Sequence, residues 1–241
     1  MKNLIVANWK MNPNSQKEAK EIFDAIREGV RGMESEVVVC PPSVYLYASG
    51  FGEGVVAMGA QNVYFEDKGA FTGEISVGML NDLGVKYVII GHSERRKYFG
   101  DTDEIVNKKV KKALEADLKV IFCIGETTEE RDAGKKNEVL EKQIKIGLDG
   151  ISNLKFQTSN LSVAYEPVWA IGTGNNCGVE ETKDSVEFIR KTSGAERILY
   201  GGSVKSDNSG DYIKIAGANG LLVGGASLKA EEFIKIVKSA E

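Results

Sequence analysis

Glu166 stands where a buried strand stops, which is a place where a carboxylate can act as a base. The strand before it is Leu161-Ser162-Val163-Ala164-Tyr165, whose apolar and small residues are typical of a parallel sheet covered on both faces. Pro167 biases Glu166 toward extended backbone and prevents a helix from starting there. An isolated carboxylate at a strand end is more often structural than catalytic, so the interpretation depends on its surroundings.

The segment after Glu166 has the composition of a flap that closes over a substrate. Trp169 and Ile171 are apolar residues at positions expected to be exposed, and two glycines, Gly172 and Gly174, follow them. Flaps of this kind expel water from a reaction when they close. We therefore predict a mobile flap over residues 167–177.

Eight short apolar runs alternate with helical patterns along the chain. The predicted strands are Leu4–Ala7, Val37–Cys40, Val55–Gly59, Tyr87–Ile90, Val120–Ile124, Ser162–Tyr165, Ile198–Tyr200 and Leu221–Val223. Parallel strands joined by helices make either an open doubly wound sheet or a closed barrel. A dinucleotide-binding open sheet needs glycines after its first strand, and residues 8–12 contain none. Eight strands also close a barrel that its own side chains fill, so we predict an α/β fold, a (βα)8 barrel.

Apolar residues that recur every three or four positions predict three of the helices. The stripes are Ala19, Ile22, Phe23, Ile26 and Val30; Val106, Val110, Ala113 and Leu114; and Ala230, Phe233, Ile234 and Val237. Capping residues predict helix starts at Asn14 or Ser15, at Thr102 or Asp103, and at Ser206 or Asp207. The alternation of elements also predicts a helix near Val44–Ala48 and another after the third strand.

Composition limits the class of protein and its partners. The 241 residues, with 42% hydrophobic residues and a net charge of −4, predict one soluble domain, residues 1–241, that binds neither nucleic acid nor an anionic membrane. No signal peptide or membrane-spanning run is evident. The cysteines, Cys40, Cys123 and Cys177, show no CxxC pairing, and with a single histidine they exclude the common zinc sites, so we expect no metal. Free thiols imply a reducing compartment, which predicts a cytoplasmic protein.

The pairs Lys108-Lys109 and Lys111-Lys112 predict a solvated helix face.

Polar residues gather where the predicted strands end, which is the end of such a barrel that carries its chemistry. They are Asn8 and Lys10 after strand one, His92 and Glu94 after strand four, Cys123 and Glu126 at strand five, Glu166 at strand six, Gly201-Gly202-Ser203 after strand seven and Gly224-Gly225-Ala226-Ser227 after strand eight. A lone histidine is more often structural, but a strand-end carboxylate in the same ring makes His92 a catalytic candidate. The two glycine-rich turns on adjacent strands predict a phosphate site built from backbone N–H groups.

Residues 61–76 form a long segment without a clear element, yet they include Val63, Tyr64, Phe65 and Phe71. A long loop in a compact domain is usually functional, and exposed aromatic side chains usually pack against something. We expect this loop to bind a second copy of the chain.

Five motifs, spread from strand one to strand eight, together resemble the triosephosphate isomerase family, whose fold is the TIM barrel. They are Asn8-Trp9-Lys10-Met11-Asn12, Gly91-His92-Ser93-Glu94-Arg95-Arg96, Ala164–Gly174, Tyr200-Gly201-Gly202-Ser203-Val204 and Leu222-Val223-Gly224-Gly225-Ala226-Ser227-Leu228. The resemblance implies interconversion of dihydroxyacetone phosphate and D-glyceraldehyde 3-phosphate, in glycolysis and gluconeogenesis, without a cofactor.

Carried over by motif, the resemblance assigns roles to individual residues. Glu166 would move the proton between the two carbons, His92 would be the electrophile at the carbonyl oxygen, and Lys10 and Asn8 would bind the substrate and stabilise the enediolate. Glu94 would support Lys10, and a helical turn starting at Ser93 would keep His92 neutral, as is known for this family. Backbone around Gly172, Ser203, Gly224 and Gly225 would hold the phosphate. The 61–76 loop would form a homodimer, with Thr72 reaching the partner's active site.

The chain departs from the family pattern at the end of the flap. Asn175-Asn176-Cys177-Gly178 replaces the usual Lys-like residue followed by Thr or Ser, and the stretch before strand seven is shorter. Asparagine and glycine tolerate positive φ, which predicts a looser hinge. Two other functions also fit the residues: a phosphosugar aldolase with a Schiff base on Lys10, and a phosphate-binding barrel without catalysis.

Overall fold

The eight predicted strands pair in chain order and close into a parallel barrel. The computed structural model describes residues 1–47, 54–153, 158–172 and 176–241. The strands are β1 (Leu4–Asn8), β2 (Glu36–Cys40), β3 (Val56–Ala60), β4 (Tyr87–Ile90), β5 (Lys119–Ile124), β6 (Leu161–Tyr165), β7 (Arg197–Tyr200) and β8 (Gly220–Val223). Pairing of β1 with β8, in which Leu4 lies opposite Gly220, closes the ring. The predicted (βα)8 fold is confirmed.

Nine α-helices lie in the described ranges. They are α1 (Gln16–Gly29), α2 (Val77–Asp82), α3 (Ser93–Phe99), α4 (Asp103–Glu115), α5 (Thr128–Asp132), α6 (Lys136–Gly147), α7 (Val179–Ser193), α8 (Ser209–Lys214) and α9 (Ala230–Ser239). Of the described helices, none is long and apolar enough to cross a membrane. The predicted caps Ser15 and Thr102 begin α1 and α4, where their hydroxyls accept backbone N–H groups. The helix expected near Val44–Ala48 is a 3-10 turn, Ser43–Tyr45, and Ala48 lies outside the described residues.

The predicted start of α8 at Ser206 or Asp207 is wrong, because α8 begins only after Asn208. The backbone N–H and the hydroxyl of Ser206 both donate to the Glu232 carboxylate, at 2.8 and 3.1 Å. Asn208 Oδ1 accepts the backbone N–H of Lys205 at 2.8 Å. These hydrogen bonds hold residues 205–208 as a turn. Because the N–H and hydroxyl of Ser206 are bonded to Glu232 of α9, Ser206 does not cap α8.

The prediction of a solvated lysine face is wrong for Lys109, which is 2% exposed. Its Nζ donates to both Asp101 carboxylate oxygens, at 2.9 and 2.8 Å, and to Asn62 Oδ1 at 3.0 Å. Burial lowers the pKa of Lys109 and the Asp101 carboxylate only partly opposes it. The hydrogen bond from Lys109 to Asn62 therefore ties α4 to the beginning of the 61–76 loop.

Alternate strand residues fill the inside of the barrel, because successive side chains of a strand point to opposite faces. The interior cluster consists of Leu4, Val6, Val38, Cys40, Tyr87, Ile89, Ile121, Cys123, Ala164, Leu199 and Leu222. The intervening strand residues belong to a larger cluster shared with the helices. Both faces of every strand are thus covered, which explains the continuous apolar runs in the sequence.

A polar network occupies the amino-terminal ends of four strands. We call it the basal network; its members, Glu36, Tyr87, Lys119 and Arg197, are the first residues of β2, β4, β5 and β7. The Glu36 carboxylate accepts hydrogen bonds from the Tyr87 hydroxyl, from Lys119 Nζ at 2.9 Å and from Arg197 Nη1 at 3.1 Å. Burial acts to raise the pKa of Glu36, but these partners lower it by more, so the net direction is downward.

Candidate active site

The polar residues at the strand ends come together around one cavity at the carboxyl end of the barrel. Its volume is about 490 Å³. The predicted site residues that line it are Asn8, Lys10, His92, Glu166, Gly172, Ser203, Gly224 and Gly225. Ser93 and Glu94 do not line it but contact residues that do, and Thr72 lies exposed on the 61–76 loop. Over the described ranges, no group of three or more His, Cys, Asp or Glu side chains could hold a metal ion.

Glu166 is buried, and each of its carboxylate oxygens lies next to a polar group of β4–α3. Oε1 lies 3.0 Å from His92 Nε2, and Oε2 accepts the Ser93 backbone N–H at 2.8 Å. The Glu166 backbone N–H donates to the Ile124 carbonyl of β5 at 2.7 Å, so the backbone beneath the carboxylate is fixed. Burial raises the pKa of Glu166, but His92 and the Ser93 amide lower it by more, so the net direction is downward. The carboxylate form of a base is thus favoured.

His92 caps the amino terminus of α3. Its Nδ1 accepts the backbone N–H of Glu94 at 3.2 Å, so the neutral imidazole carries its proton on Nε2, which faces Glu166 and the cavity. Burial lowers the pKa of His92, but the Glu166 carboxylate raises it by more while the two side chains are in contact. The ring orientation leaves one N–H donor directed into the cavity.

Lys10 is held in a conformation that L-residues rarely adopt, with φ of 54°. Its backbone N–H donates to Asn8 Oδ1 at 3.1 Å, and Gln61 Nε2 donates to its carbonyl at 2.8 Å. Such a backbone costs about 1–3 kcal/mol and persists where surrounding contacts determine it. The Lys10 ammonium donates to Glu94 Oε1 at 2.7 Å and lines the cavity. Gln61, which also donates to the Cys40 carbonyl, was not predicted as a site residue.

The glycine-rich turns after β7 and β8 line the cavity through Gly201, Gly202, Ser203, Gly224 and Gly225. A Cβ added at Gly224 would lie 3.3 Å from Lys10 Cε, so the turn approaches the lysine closely. The Ser203 hydroxyl donates to the carbonyl of Ala170 at 2.6 Å and so links the β7 turn to the flap. Gly172 is exposed at the cavity rim with φ of 71°. These turns leave space for a small anion beside backbone groups.

The described part of the flap packs against the β5–α5 loop and α5, while residues 173–175 lie outside the described ranges. Trp169, expected to be exposed, is half-buried. Its Nε1 donates to Glu126 Oε1 at 2.7 Å, and the Arg131 guanidinium carbon lies 3.7 Å from its ring centroid. Glu126, one of the polar residues at the end of the fifth predicted strand, is therefore a contact of the flap.

The carboxyl end of the flap is more firmly held than its sequence suggests. Gly178 has φ of −59°, which other residues adopt as readily, so glycine at this position does not by itself loosen the hinge. Cys177 is fully buried, and its carbonyl accepts the Tyr212 hydroxyl at 2.9 Å. Asn175 lies outside the described residues.

Comparison with known proteins gives one consistent result. The family profile described as triosephosphate isomerase matches residues 3–240. A triosephosphate isomerase of Aquifex aeolicus is 47% identical over 251 aligned positions, covering 99% of this chain and 100% of that protein. Those of Alkaliphilus oremlandii and Carboxydothermus hydrogenoformans are 47% and 46% identical, with 98% and 99% of both chains covered.

Proposed function

This chain belongs to the triosephosphate isomerase family and interconverts dihydroxyacetone phosphate and D-glyceraldehyde 3-phosphate, and we propose that Glu166, His92 and Lys10 carry the reaction. Family membership decides against the Schiff-base aldolase and the phosphate-binding barrel without catalysis. The observation that supports the residue assignment is the arrangement around the cavity: a buried carboxylate, an imidazole N–H and an ammonium all line it.

The difficult step is removal of a proton from a carbon next to a carbonyl, because negative charge develops on the carbonyl oxygen. Glu166 takes the proton, and a donor must stabilise the oxygen as it becomes negative. His92 Nε2–H is that donor, since its Nδ1 is occupied by the Glu94 amide. Lys10 adds a fixed positive charge, and Asn8 holds the Lys10 backbone in position.

The hydrogen bond between Glu166 and the Ser93 backbone implies that the carboxylate moves before catalysis. Its Oε2 is bound to the Ser93 N–H, which is part of the protein and not of the substrate. The carboxylate must leave this contact to reach the substrate carbon, and Ser93 is then the group that holds it ready between turnovers. Pro167, which joins Glu166 to the flap, couples this movement to flap closure.

The phosphate is bound by the backbone of Gly172, Ser203, Gly224 and Gly225. Two of these residues follow β8, one follows β7 and one belongs to the flap, so the phosphate bridges the barrel and the flap. Closure over the phosphate shields the enediolate from water. No cofactor enters this scheme, since cavity side chains handle the proton and the charge on the carbonyl oxygen, and backbone groups hold the phosphate.

A homodimer in the cytoplasm is the proposed working form. A second cavity of about 360 Å³ lies beside the first and shares Asn8, Lys10 and His92 with it. Met11 and Phe99, two large apolar residues that line this second cavity, are exposed, and so is Phe71 on the 61–76 loop. The 61–76 loop of a second copy, with Thr72 at its tip, would cover this surface and complete the surroundings of Lys10.

Coupled isomerase assays in both directions, on wild type and on Glu166→Gln and His92→Gln, test the assignment. Glu166→Gln should abolish transfer of the carbon-bound proton, measured as loss of deuterium uptake into product in D2O. His92→Gln should lower kcat while uptake per turnover persists. Full uptake in Glu166→Gln would place the base elsewhere.

A further inference from the structure

The end of the flap that departs from the family pattern carries a contact that the proposed mechanism does not use. The Tyr212 hydroxyl, on α8, donates to the Cys177 carbonyl at 2.9 Å. Cys177 immediately precedes Gly178, the N-cap residue of α7. Both Cys177 and Tyr212 are almost completely buried. The hydrogen bond is therefore shielded from water and joins the flap's carboxyl end to a helix that does not belong to the flap.

Tyr212 is itself fixed by the wall of the phosphate site. Its ring stacks on that of Tyr200, the last residue of β7, with centroids 3.9 Å apart and planes 23° apart. A Cβ added at Gly202 would lie 2.3 Å from the Tyr200 hydroxyl and 3.2 Å from Pro167 Cγ. Tyr200 thus lies directly beneath the β7 turn, where Pro167 of the flap also contacts the turn, and Tyr212 packs against Tyr200.

We propose that Tyr212 is a positioning residue that anchors the carboxyl-terminal hinge of the flap through the Cys177 carbonyl. The inference rests on the proposed function in one respect, that the flap closes over the phosphate. A flap closes reproducibly only if both of its ends are held. The amino end of the flap is fixed by Pro167 and the backbone of Glu166. The hydrogen bond from Tyr212 fixes the carboxyl end at Cys177.

Loss of the anchor should show in the fate of the enediolate. If the flap opens early, the C–O bond to phosphate breaks, its electron pair leaves with inorganic phosphate, and the remaining three carbons become methylglyoxal. Tyr212→Phe keeps the ring and its stacking on Tyr200 and removes only the hydroxyl. Without the Tyr212 hydroxyl, closure of the flap must also order the hinge at Cys177, which costs conformational entropy.

The experiment measures phosphate released per isomerisation, together with kcat, KM and Tm, in three variants. For Tyr212→Phe we expect the phosphate ratio to rise and kcat/KM to fall, each by about five-fold, the change that one ordinary hydrogen bond supports. Tyr87→Phe is the matched control, since it removes a buried hydroxyl at the opposite end of the barrel. It should lower Tm and leave the phosphate ratio unchanged.

Gly172→Ala separates this inference from the proposed flap function. A Cβ at φ of 71° strains the flap itself, so the phosphate ratio should rise. If Gly172→Ala raises the ratio and Tyr212→Phe behaves like Tyr87→Phe, the anchor is refuted and the flap function stands. If Gly172→Ala leaves the ratio unchanged, the flap does not protect the intermediate, and both proposals fail.

Discussion

Shortening Glu166 by one methylene is the sharpest test of its role as the base. Glu166→Asp keeps the negative charge and nearly the same basicity, with reference pKa values of about 4.3 and 3.9. The difference in basicity changes a proton-transfer rate by less than about three-fold. The backbone at residue 166 is fixed by its bond to Ile124, so it cannot advance to compensate. The carboxylate therefore retreats by about 1 Å from the carbon it must reach.

A misplacement of about 1 Å costs on the order of 100-fold in rate. Since about 1.36 kcal/mol corresponds to a factor of ten, the barrier should rise by about 2.7 kcal/mol. The phosphate contacts of the β7 and β8 turns are untouched, so KM should change far less than kcat. Geometry, and not basicity, accounts for nearly all of the expected loss.

Steady-state kinetics and thermal unfolding on one preparation decide the outcome. Glu36→Asp is the matched control, because it shortens another carboxylate with several hydrogen bonds, in the basal network and away from the cavity. It should lower Tm and leave kcat near the wild-type value. If Glu166→Asp shows that same pattern, Glu166 is a structural residue and the proposed mechanism is wrong.

Three further changes test other parts of the molecule. Phe71→Ser, which removes an aromatic side chain from the 61–76 loop, should give monomers in analytical ultracentrifugation and lower activity together; a fully active monomer would contradict the dimer proposal. Glu36→Gln should lower Tm by several degrees at pH 7, since hydrogen bonds to charged groups contribute about 1.5–3 kcal/mol and 1 kcal/mol shifts Tm by about 2–4 °C in a chain of this length. Because the folded pKa of Glu36 is lowered, its stabilisation is present above the unfolded value and lost as pH falls through the folded one, so the difference in Tm should shrink in acid; a constant difference would refute this. Gly125→Ala should abolish activity, because the added Cβ would lie 1.7 Å from the Glu166 carbonyl oxygen; wild-type kcat would mean that this backbone contact is not needed.

The barrel could be predicted because its signals are local. Each strand is four to six residues long and mostly apolar, and both faces of it are covered in the fold. Ser15 and Thr102 cap helices by accepting backbone N–H groups three residues ahead, so each capping role depends only on residues close by in the sequence. Strand ends then locate the cavity, since parallel strands bring their carboxyl ends to one side.

What the sequence did not reveal depends on partners distant along the chain. Ser206 looked like a helix cap, but its hydrogen bonds go to a residue 26 positions away. Lys109 looked solvated, but Asp101 and the loop at Asn62 bury it. Gln61 supports the strained backbone of Lys10 across 51 positions, and no pattern near either residue indicates this. Tertiary contacts of this kind override local propensity without leaving a periodic signal.

The basal network separates the geometry of the barrel from the reaction it hosts. Its four members span β2, β4, β5 and β7, so it sets the relative stagger of these strands from the end where no substrate binds. Strands of four to six residues place it about 13–20 Å from the loops that hold the substrate. Exchanging the loops at the carboxyl ends of the strands therefore need not disturb the strand register. The same barrel could then carry a different reaction, while substitutions in the basal network change its stability independently.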